Sequence, residues 1–229
     1  MSVSESVVES PPRRTRPAVR TLAPALLLLL AWALPVPAYV AATLADAESS
    51  APAPEATLQG AELLAALRRG GYVVYFRHTA TDFSRDDSRM AGYADCANQR
   101  PLNEQGRRDA RAIGATLREL GLPVSEAIAS PFCRTMEHAR LMLVDVSPRM
   151  EVREAQAGDY AGLKRLLAAP VAAGGNRWIV GHGIPFRAVA GPPHLAEGEA
   201  AVIQPRTTGW TVVARLQVTD WQALAAGSR

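Results

Sequence analysis

The sequence predicts an α/β fold, a three-layer αβα sandwich in which helices cover both faces of a mostly parallel central sheet. Helix-like and strand-like segments alternate along the chain from residue 60 onward, which is typical of this fold class. In addition, residues 72–76 and 177–180 are largely apolar runs without alternation, as expected for central strands that are buried on both faces.

The other elements follow from local signals. Residues 61–69 form a helix pattern that stops at two glycines. A longer helix can be capped by Asn103, carries apolar residues at three- and four-residue intervals, and ends at Gly121 and Pro123. The remaining predicted elements are strands at residues 127–129, 150–153, 200–204 and 210–217 and helices at residues 132–144 and 160–169.

Residues 1–47 are predicted to be a signal peptide or a signal anchor. Residues 21–45 carry no charge, and arginines precede them, which is typical of a secretory signal. The uncharged stretch also exceeds the roughly 20 residues that span a bilayer, so cleavage and anchoring both remain open. We therefore expect an exported chain, periplasmic or anchored to the inner membrane facing outward, that meets the membrane only through this segment. Residues 48–58 are a Pro/Ala-rich linker, and residues 59–229 are the predicted catalytic domain.

Charge and cysteine content exclude several classes of function. The net charge of +3 arises mainly before residue 21, so no nucleic-acid binding is expected. Cys96 and Cys133 form no C-x2-C pair and begin no C-x5-R loop, which argues against a zinc site and a thiol phosphatase. In an exported chain they could form a disulfide, with two buried free thiols as the alternative.

Side chains suited to phosphoryl transfer follow three predicted strands. One central strand runs into Arg77 and His78, the strand at residues 127–129 leads to Arg134, and the other central strand runs into His182. Sites in such folds lie beyond the carboxyl ends of the strands, so we expect these residues to meet. A neutral imidazole can attack phosphorus, guanidiniums can clamp its oxygens, and a second histidine, if protonated, adds a donor. Helices that begin after His78 and after His182 would add backbone N–H donors, and no metal or other cofactor is needed.

Three motifs carry a resemblance to a known family. FRHTATD at residues 76–82, SPFCRT at 130–135 and VGHG at 180–183 resemble the histidine phosphatase (phosphoglycerate mutase-like) superfamily, over roughly residues 60–220. The chain is most similar to small exported members, which include lipopolysaccharide core heptose-phosphate phosphatases, and to compact phosphohistidine phosphatases. The resemblance implies a phosphoglycerate mutase-like fold, a phosphohistidine on His78, and phosphate binding by Arg77, Arg134 and His182. Thr79 stands where glycine is common in the family.

The general acid is expected to be Glu154, with Glu199 as its rival. Members of this branch commonly place a glutamate after the strand that follows the second arginine, and Glu154 fits by its order in the chain. Thr79 and Asp82 are expected to contact the substrate. Asp95, Gln99 and Arg100 could either line the mouth of the site or cap the long helix. His138 and His194 are expected to be non-catalytic.

These features together predict a metal-independent phosphatase. Its substrate would be a phosphomonoester or a phosphohistidine, carried on a small molecule, a glycan or a protein. The alternative is a catalytically weak phosphate-binding or interaction domain on the same fold.

Overall fold

The computed structural model describes residues 57–153 and 158–227. The predicted signal segment, almost all of the predicted linker and Glu154 therefore lie outside the described residues. Within the described ranges, no helix combines the length and the apolar character that crossing a membrane requires.

The described residues form a six-stranded sheet with helices between the strands. The strands are β1 (Val73–Arg77), β2 (Val124–Ala129), β3 (Ser147–Pro148), β4 (Asn176–Gly181), β5 (Ala200–Pro205) and β6 (Trp210–Leu216). The helices are α1 (Gly60–Arg69), α2 (Glu104–Glu119), α3 (Cys133–Met142), α4 (Ala161–Ala168), α5 (Gly183–Ala190) and α6 (Val218–Ala226).

The order of the strands is β3-β2-β4-β1-β5-β6. β3, β2, β4 and β1 pair in parallel, whereas β5 and β6 add an antiparallel edge next to β1. This arrangement confirms the predicted α/β fold with a mostly parallel central sheet.

Strand β1 shows how the sheet is buried on both faces. Val74 and Phe76 pack in one apolar cluster with α1, α2, α3 and α6. Val73 and Tyr75 point to the opposite face and pack with α4 and α5. Side chains of a strand alternate between the two faces, so a central strand covered on both sides needs the continuous apolar run that the sequence carries here.

Helix α2 follows the predicted signals. The side chain of Asn103 accepts a hydrogen bond from the backbone N–H of Gly106 at 2.8 Å, which caps the first turn. Ala110, Ile113 and Leu117 form its buried stripe. After the helix, Gly121 takes a φ of +64°, a conformation that glycine adopts without steric cost.

The prediction of a strand at residues 150–153 is wrong. The edge strand β3 is only two residues long, and Met150–Val152 form a short 3-10 helix. Pro148 has no N–H to continue the ladder, and Arg149 donates the last bond, to the carbonyl of Ala129 at 2.8 Å. The chain then turns, which leaves Met150 half exposed while Val152 is buried.

The helix expected directly after His78 is also absent. Residues 78–103 form a loop that contains one 3-10 turn, Cys96–Asn98. Asp82 and Asp86 accept hydrogen bonds from the backbone and hydroxyl groups of Ser84 and Ser88, respectively. Such local bonds between side chain and backbone compete with helix formation, which explains the irregular path.

Candidate active site

The carboxyl ends of β1, β2 and β4 bring the predicted histidines and arginines to one edge of the sheet. The imidazole rings of His78 and His182 lie with their centroids 5.5 Å apart. The ring of Phe132 lies 5.1 Å from that of His182, and the guanidinium carbon of Arg134 lies 4.4 Å from the centre of the same Phe132 ring. Arg77 is the last residue of β1, and Glu197 lies near both Arg77 and His78.

His78 is held as a neutral ring in one orientation. Its Nδ1 lies 3.0 Å from the carbonyl oxygen of Thr79. A carbonyl can only accept, so we assign the proton to Nδ1 and the lone pair to Nε2. Burial lowers the pKa of His78 to about 3; the bond to Thr79 opposes this shift, while the charges of Arg134 and Arg77 add to it. Nε2 makes no hydrogen bond to the described part of the chain and is available to a ligand.

His182 is fixed through its backbone and its ring. The hydroxyl of Tyr75 accepts from the N–H of His182 at 2.9 Å and donates to its carbonyl at 3.0 Å. Its Nε2 lies 2.8 Å from the hydroxyl of Ser130. Burial, followed by the neighbouring His78 and Arg134, lowers the pKa of His182 well below its usual value, so this ring is neutral and not the cation considered from the sequence.

Tyr75 and Ser130 are positioning residues that the sequence reasoning missed. Burial raises the pKa of Tyr75, so its hydroxyl keeps the proton that it donates to His182. Both residues lay inside recognised segments: Tyr75 in the first central strand and Ser130 at the start of SPFCRT. Their contacts to His182 depend on how distant strands pair, which no local pattern reveals.

The glycines on either side of His182 make room for neighbouring side chains. A side chain at Gly181 would collide with the hydroxyl of Tyr75, and one at Gly183 would collide with the ring of His194. Helix α5 begins at Gly183, directly after His182, as the sequence predicts.

Both predicted arginines contact carboxylates. Nη1 of Arg134 donates to Asp87 at 3.0 Å, and Nε of Arg134 is buried without a partner among the described residues. Nη1 of Arg77 donates to the carbonyl of Leu195 at 2.8 Å, and its Nη2 lies 3.6 Å from Glu197. Burial lowers the pKa of both guanidiniums, although both remain cations at neutral pH.

Glu197 is a third residue that the sequence reasoning missed. Its Oε1 lies 3.9 Å from Nδ1 of His78 and 3.6 Å from Arg77, and it accepts a hydrogen bond from the hydroxyl of Thr81 at 2.8 Å. It approaches His78 at Nδ1 and is therefore placed to balance positive charge on the ring.

Of the two candidate general acids, only Glu199 lies among the described residues. Glu154 lies outside the described residues. Glu199 is buried, and its two oxygens contact the N–H of Ala196 at 2.6 Å and the guanidinium of Arg215 at 3.4 Å. Among the described residues, no hydrogen bond or ion pair joins the Glu199 carboxylate to His78 or His182.

Asp82 and Thr79 form hydrogen bonds within the protein. The carboxylate of Asp82 closes a turn with Ser84, and none of its hydrogen bonds within the described ranges reaches the histidines. Thr79 orients His78 through its carbonyl, and its N–H donates to Nδ1 of the buried His138 at 3.3 Å. The hydroxyl of Thr79 is buried with no partner in the described chain.

The expected disulfide between Cys96 and Cys133 is present. Cys133 precedes Arg134 at the start of α3, and its N–H donates to the side chain of Gln99 at 2.9 Å. The bridge therefore ties the loop of residues 78–103, which delivers Asp87 to the site, to the helix that carries Arg134.

A groove of about 840 Å³ lies between α1 and α6 and contains none of the predicted site residues. The described residues contain no group of three or more His, Cys, Asp or Glu side chains that could hold a metal ion.

Comparison with known proteins relates part of the chain to one superfamily. Residues 73–172 match the model of the histidine phosphatase superfamily (branch 1). Among solved structures, the protein histidine phosphatase SixA in complex with tungstate is 17% identical, with 65% of this chain and 98% of that chain covered and a TM-score of 0.48. The alpha-ribazole phosphatase from Shigella flexneri is 17% identical, with 62% of this chain and 94% of that chain covered and a TM-score of 0.43.

A phosphoglycerate mutase from Bacillus anthracis is 17% identical, with 71% of this chain and 99% of that chain covered and a TM-score of 0.43. No curated protein sequence matches the chain. Residues 73–172, which include His78 and Arg134, therefore resemble the histidine phosphatase superfamily.

Proposed function

We propose that the chain is a metal-independent phosphatase that hydrolyses phosphomonoesters or phosphohistidine through a phosphohistidine intermediate on His78. The observation that carries this proposal is the orientation of His78. Its Nδ1 is bound to the carbonyl of Thr79 and its ring is neutral, so Nε2 keeps a lone pair. The ring centroid lies 5.5 Å from that of His182, and the charge of Arg134 acts on the ring. A neutral imidazole fixed in this way is a competent nucleophile toward phosphorus.

The reaction then has two steps. In the first, the lone pair on Nε2 forms a bond to phosphorus while the bond from phosphorus to the leaving group breaks. The leaving group takes a proton from the general acid, for which we propose Glu154. In the second, water attacks phosphorus, the P–N bond breaks, and the water proton returns to Glu154. General acid–base assistance of this kind contributes roughly 10²- to 10⁴-fold.

The other site residues are proposed to stabilise the negative charge of the phosphoryl group and the positive charge that forms on His78. Arg77, Arg134 and His182 are proposed to bind the oxygens of the phosphoryl group. Formation of the N–P bond leaves positive charge on the imidazole, and the carboxylate of Glu197, 3.9 Å from Nδ1, balances that charge.

The disulfide supports a site of action outside the cytoplasm. Disulfides persist in oxidising compartments, which fits an exported chain, periplasmic or anchored to the inner membrane facing outward. Between Arg134 and His182, the described residues build only the rest of α3, β3, the 3-10 turn, α4 and β4, with no added cap. A bulky phosphorylated glycan, such as a heptose phosphate of the lipopolysaccharide core, or a phosphorylated protein could therefore approach the site, as could a small molecule.

The test is to trap the intermediate on the full-length chain. We expect turnover of p-nitrophenyl phosphate in the presence of EDTA and an acid-labile, alkali-stable labelled phosphohistidine. Both should be absent in His78→Ala and present in the matched control His194→Ala, which removes an exposed imidazole. Phosphate binding without turnover would support the alternative, a catalytically weak phosphate-binding domain. Turnover that persists in His78→Ala would exclude His78 as the nucleophile.

A further inference from the structure

Two more arginines lie beside the proposed phosphate site. The backbone N–H of Arg100 donates at 2.9 Å to the same oxygen of Asp87 that accepts from Nη1 of Arg134. The guanidinium carbon of Arg153 lies 5.4 Å from the centre of the Phe132 ring, which also contacts Arg134. Both residues are partly exposed and therefore accessible to a ligand.

The positive charges of Arg100 and Arg153 affect the pKa values of two site residues, His182 and Arg134. Burial is the main cause that lowers the pKa of His182, and the charges of Arg153 and Arg100 act in the same direction. The pKa of Arg134 is also lowered first by burial and then by these two cations, against the effect of Asp87. These effects agree with the contact of Arg100 to Asp87 and of Arg153 to Phe132. Both cations are therefore near enough to attract a phosphate bound at the site.

Neither cation is neutralised by the described part of the chain. Asp87 contacts Arg134, and Glu197 contacts Arg77, whereas no described carboxylate forms a side-chain hydrogen bond or an ion pair with Arg100 or Arg153. Arg100 instead lies over the ring of Phe83, with 4.8 Å between its guanidinium carbon and the ring centre. Its Nε is buried and has no partner among the described residues. Like charges that gather without counter-charges are unfavourable, so this arrangement favours a bound anion.

One phosphate monoester does not account for all four guanidiniums. Arg77 and Arg134, with His182, supply enough donors to clamp the oxygens of the phosphoryl group that is transferred. Arg100 and Arg153 are then left for a different anionic group of the same substrate.

We propose that Arg100 and Arg153 form an anion subsite beside the phosphate site, and that the physiological substrate carries a second anionic group, a phosphate or a carboxylate. The inference rests on the proposed function, because the subsite selects among substrates of that reaction. It narrows the substrate class from any phosphomonoester to one with a neighbouring negative charge.

The experiment compares substrates that differ only in the second anion. Release of phosphate by the full-length chain is measured with glucose 1,6-bisphosphate against glucose 6-phosphate, and with 3-phosphoglycerate against glycerol 3-phosphate. We expect kcat/KM to be at least about tenfold higher for one or both doubly anionic compounds, since a charge-assisted contact is worth that much. A preference in the first pair alone identifies a phosphate as the second group, and one in the second pair alone identifies a carboxylate.

Variants then assign the preference to the subsite. Arg100→Gln and Arg153→Gln should each reduce the ratio of kcat/KM within the preferred pair several-fold. Arg111→Gln removes the same charge from the exposed surface of α2 and should leave that ratio unchanged. If Arg111→Gln lowers the ratio as much as Arg100→Gln does, net charge and not the subsite is responsible, and the inference is wrong.

The inference and the proposed function fail in different ways. Turnover of p-nitrophenyl phosphate with His78-dependent labelling, but ratios near one in both pairs, overturns the anion subsite and leaves the phosphatase intact. If the chain turns over none of these compounds, calorimetric binding of the same four compounds to His78→Ala gives the comparison without catalysis. Equal affinities within both pairs then reject the subsite.

Discussion

Replacing His138 by asparagine is expected to make the fold less sensitive to acid. His138 is fully buried in α3, and its Nδ1 accepts a hydrogen bond from Thr79 at 3.3 Å. Burial lowers the pKa of this imidazole to about 3, so the folded protein keeps it neutral under conditions in which an exposed ring binds a proton. An asparagine oxygen can replace Nδ1 as the acceptor but does not titrate.

The magnitude follows from proton linkage. The unfolded ring has the ordinary pKa of 6.5, and the folded ring has a pKa of about 3. Because the folded pKa is depressed, the stability is fully present above pH 6.5 and is lost as the pH falls toward 3. Within that window, each pH unit costs about 1.4 kcal/mol. Between pH 6.0 and 4.5, the wild type should therefore lose about 2 kcal/mol more than His138→Asn.

Urea unfolding monitored by tryptophan fluorescence at these two pH values measures the difference. The asparagine variant starts from a lower stability, because it leaves a cavity, so the readout is the change with pH and not the absolute value. His194→Asn is the matched control, since it makes the same substitution at an exposed histidine. If the wild type and His138→Asn lose the same free energy within about 0.5 kcal/mol, His138 is not buried as a neutral ring.

Two further predictions concern the disulfide and the carboxylate beside the proposed nucleophile. Replacing Cys96 and Cys133 together by serine should lower the free energy of unfolding by about 4 kcal/mol, because the bridge closes a loop with a sequence separation of 37. Urea denaturation of the oxidised wild type and the double variant measures this. Glu197→Gln should lower kcat/KM for p-nitrophenyl phosphate about tenfold, because it removes the charge beside His78 while an amide oxygen can still accept from Thr81.

Each of these predictions has a matched control. Reducing the disulfide of the wild type should reproduce the loss seen in the double serine variant, and an unchanged denaturation midpoint in both would contradict the structural role of the bridge. For Glu197, the control is Glu137→Gln, which removes the carboxylate of an ion pair with Arg107 on α2 and α3. Equal effects of Glu137→Gln and Glu197→Gln would mean that the position of the charge beside His78 does not matter.

Elements with local signals could be predicted from the sequence. Helix α2 carries its own cap, its own apolar stripe and its own stop, so its limits require no knowledge of the rest of the fold. β1 and β4 are recognisable because burial on both faces demands a run without alternation. The edge strand β3 has only two residues and a proline, and such a short segment gives no period to detect.

Helix α6 was missed although part of its signal is local. The carboxylate of Asp220 accepts from the N–H of Gln217 at 2.7 Å, as in a helix-starting box, and Trp221 and Leu224 lie on its buried side. Val218 and Thr219 follow strand β6 directly and have high β-propensity, which favours extending the strand beyond Leu216. Packing of Trp221 against the sheet overrides that preference, because the tryptophan is fully buried in the main apolar cluster.

The candidate site residues could be predicted from the sequence, but the residues that contact and position them could not. The positions of His78, Arg134 and His182 follow from one rule, that strand ends of a parallel sheet meet at one edge. The contacts of Ser130 and Glu197 to the two histidines span 52 and 119 residues of sequence, respectively, and depend on which strands are neighbours. No periodicity within a segment encodes such a contact.

The register between β1 and β4 is what joins the fold to the site. Arg77 pairs with Gly181 in this parallel ladder, so the residues that follow each strand, His78 and His182, emerge at the same level. A slip of one residue would send every side chain of a strand to the opposite face, and the continuous burial of β1 on both faces alone does not prevent it. Tyr75 provides the additional constraint. A side chain at position 181 would collide with its hydroxyl, and this hydroxyl accepts from the N–H of His182 and donates to the carbonyl of His182. The same tyrosine therefore belongs to the apolar core and, through its two hydrogen bonds to the backbone of His182, to the candidate site.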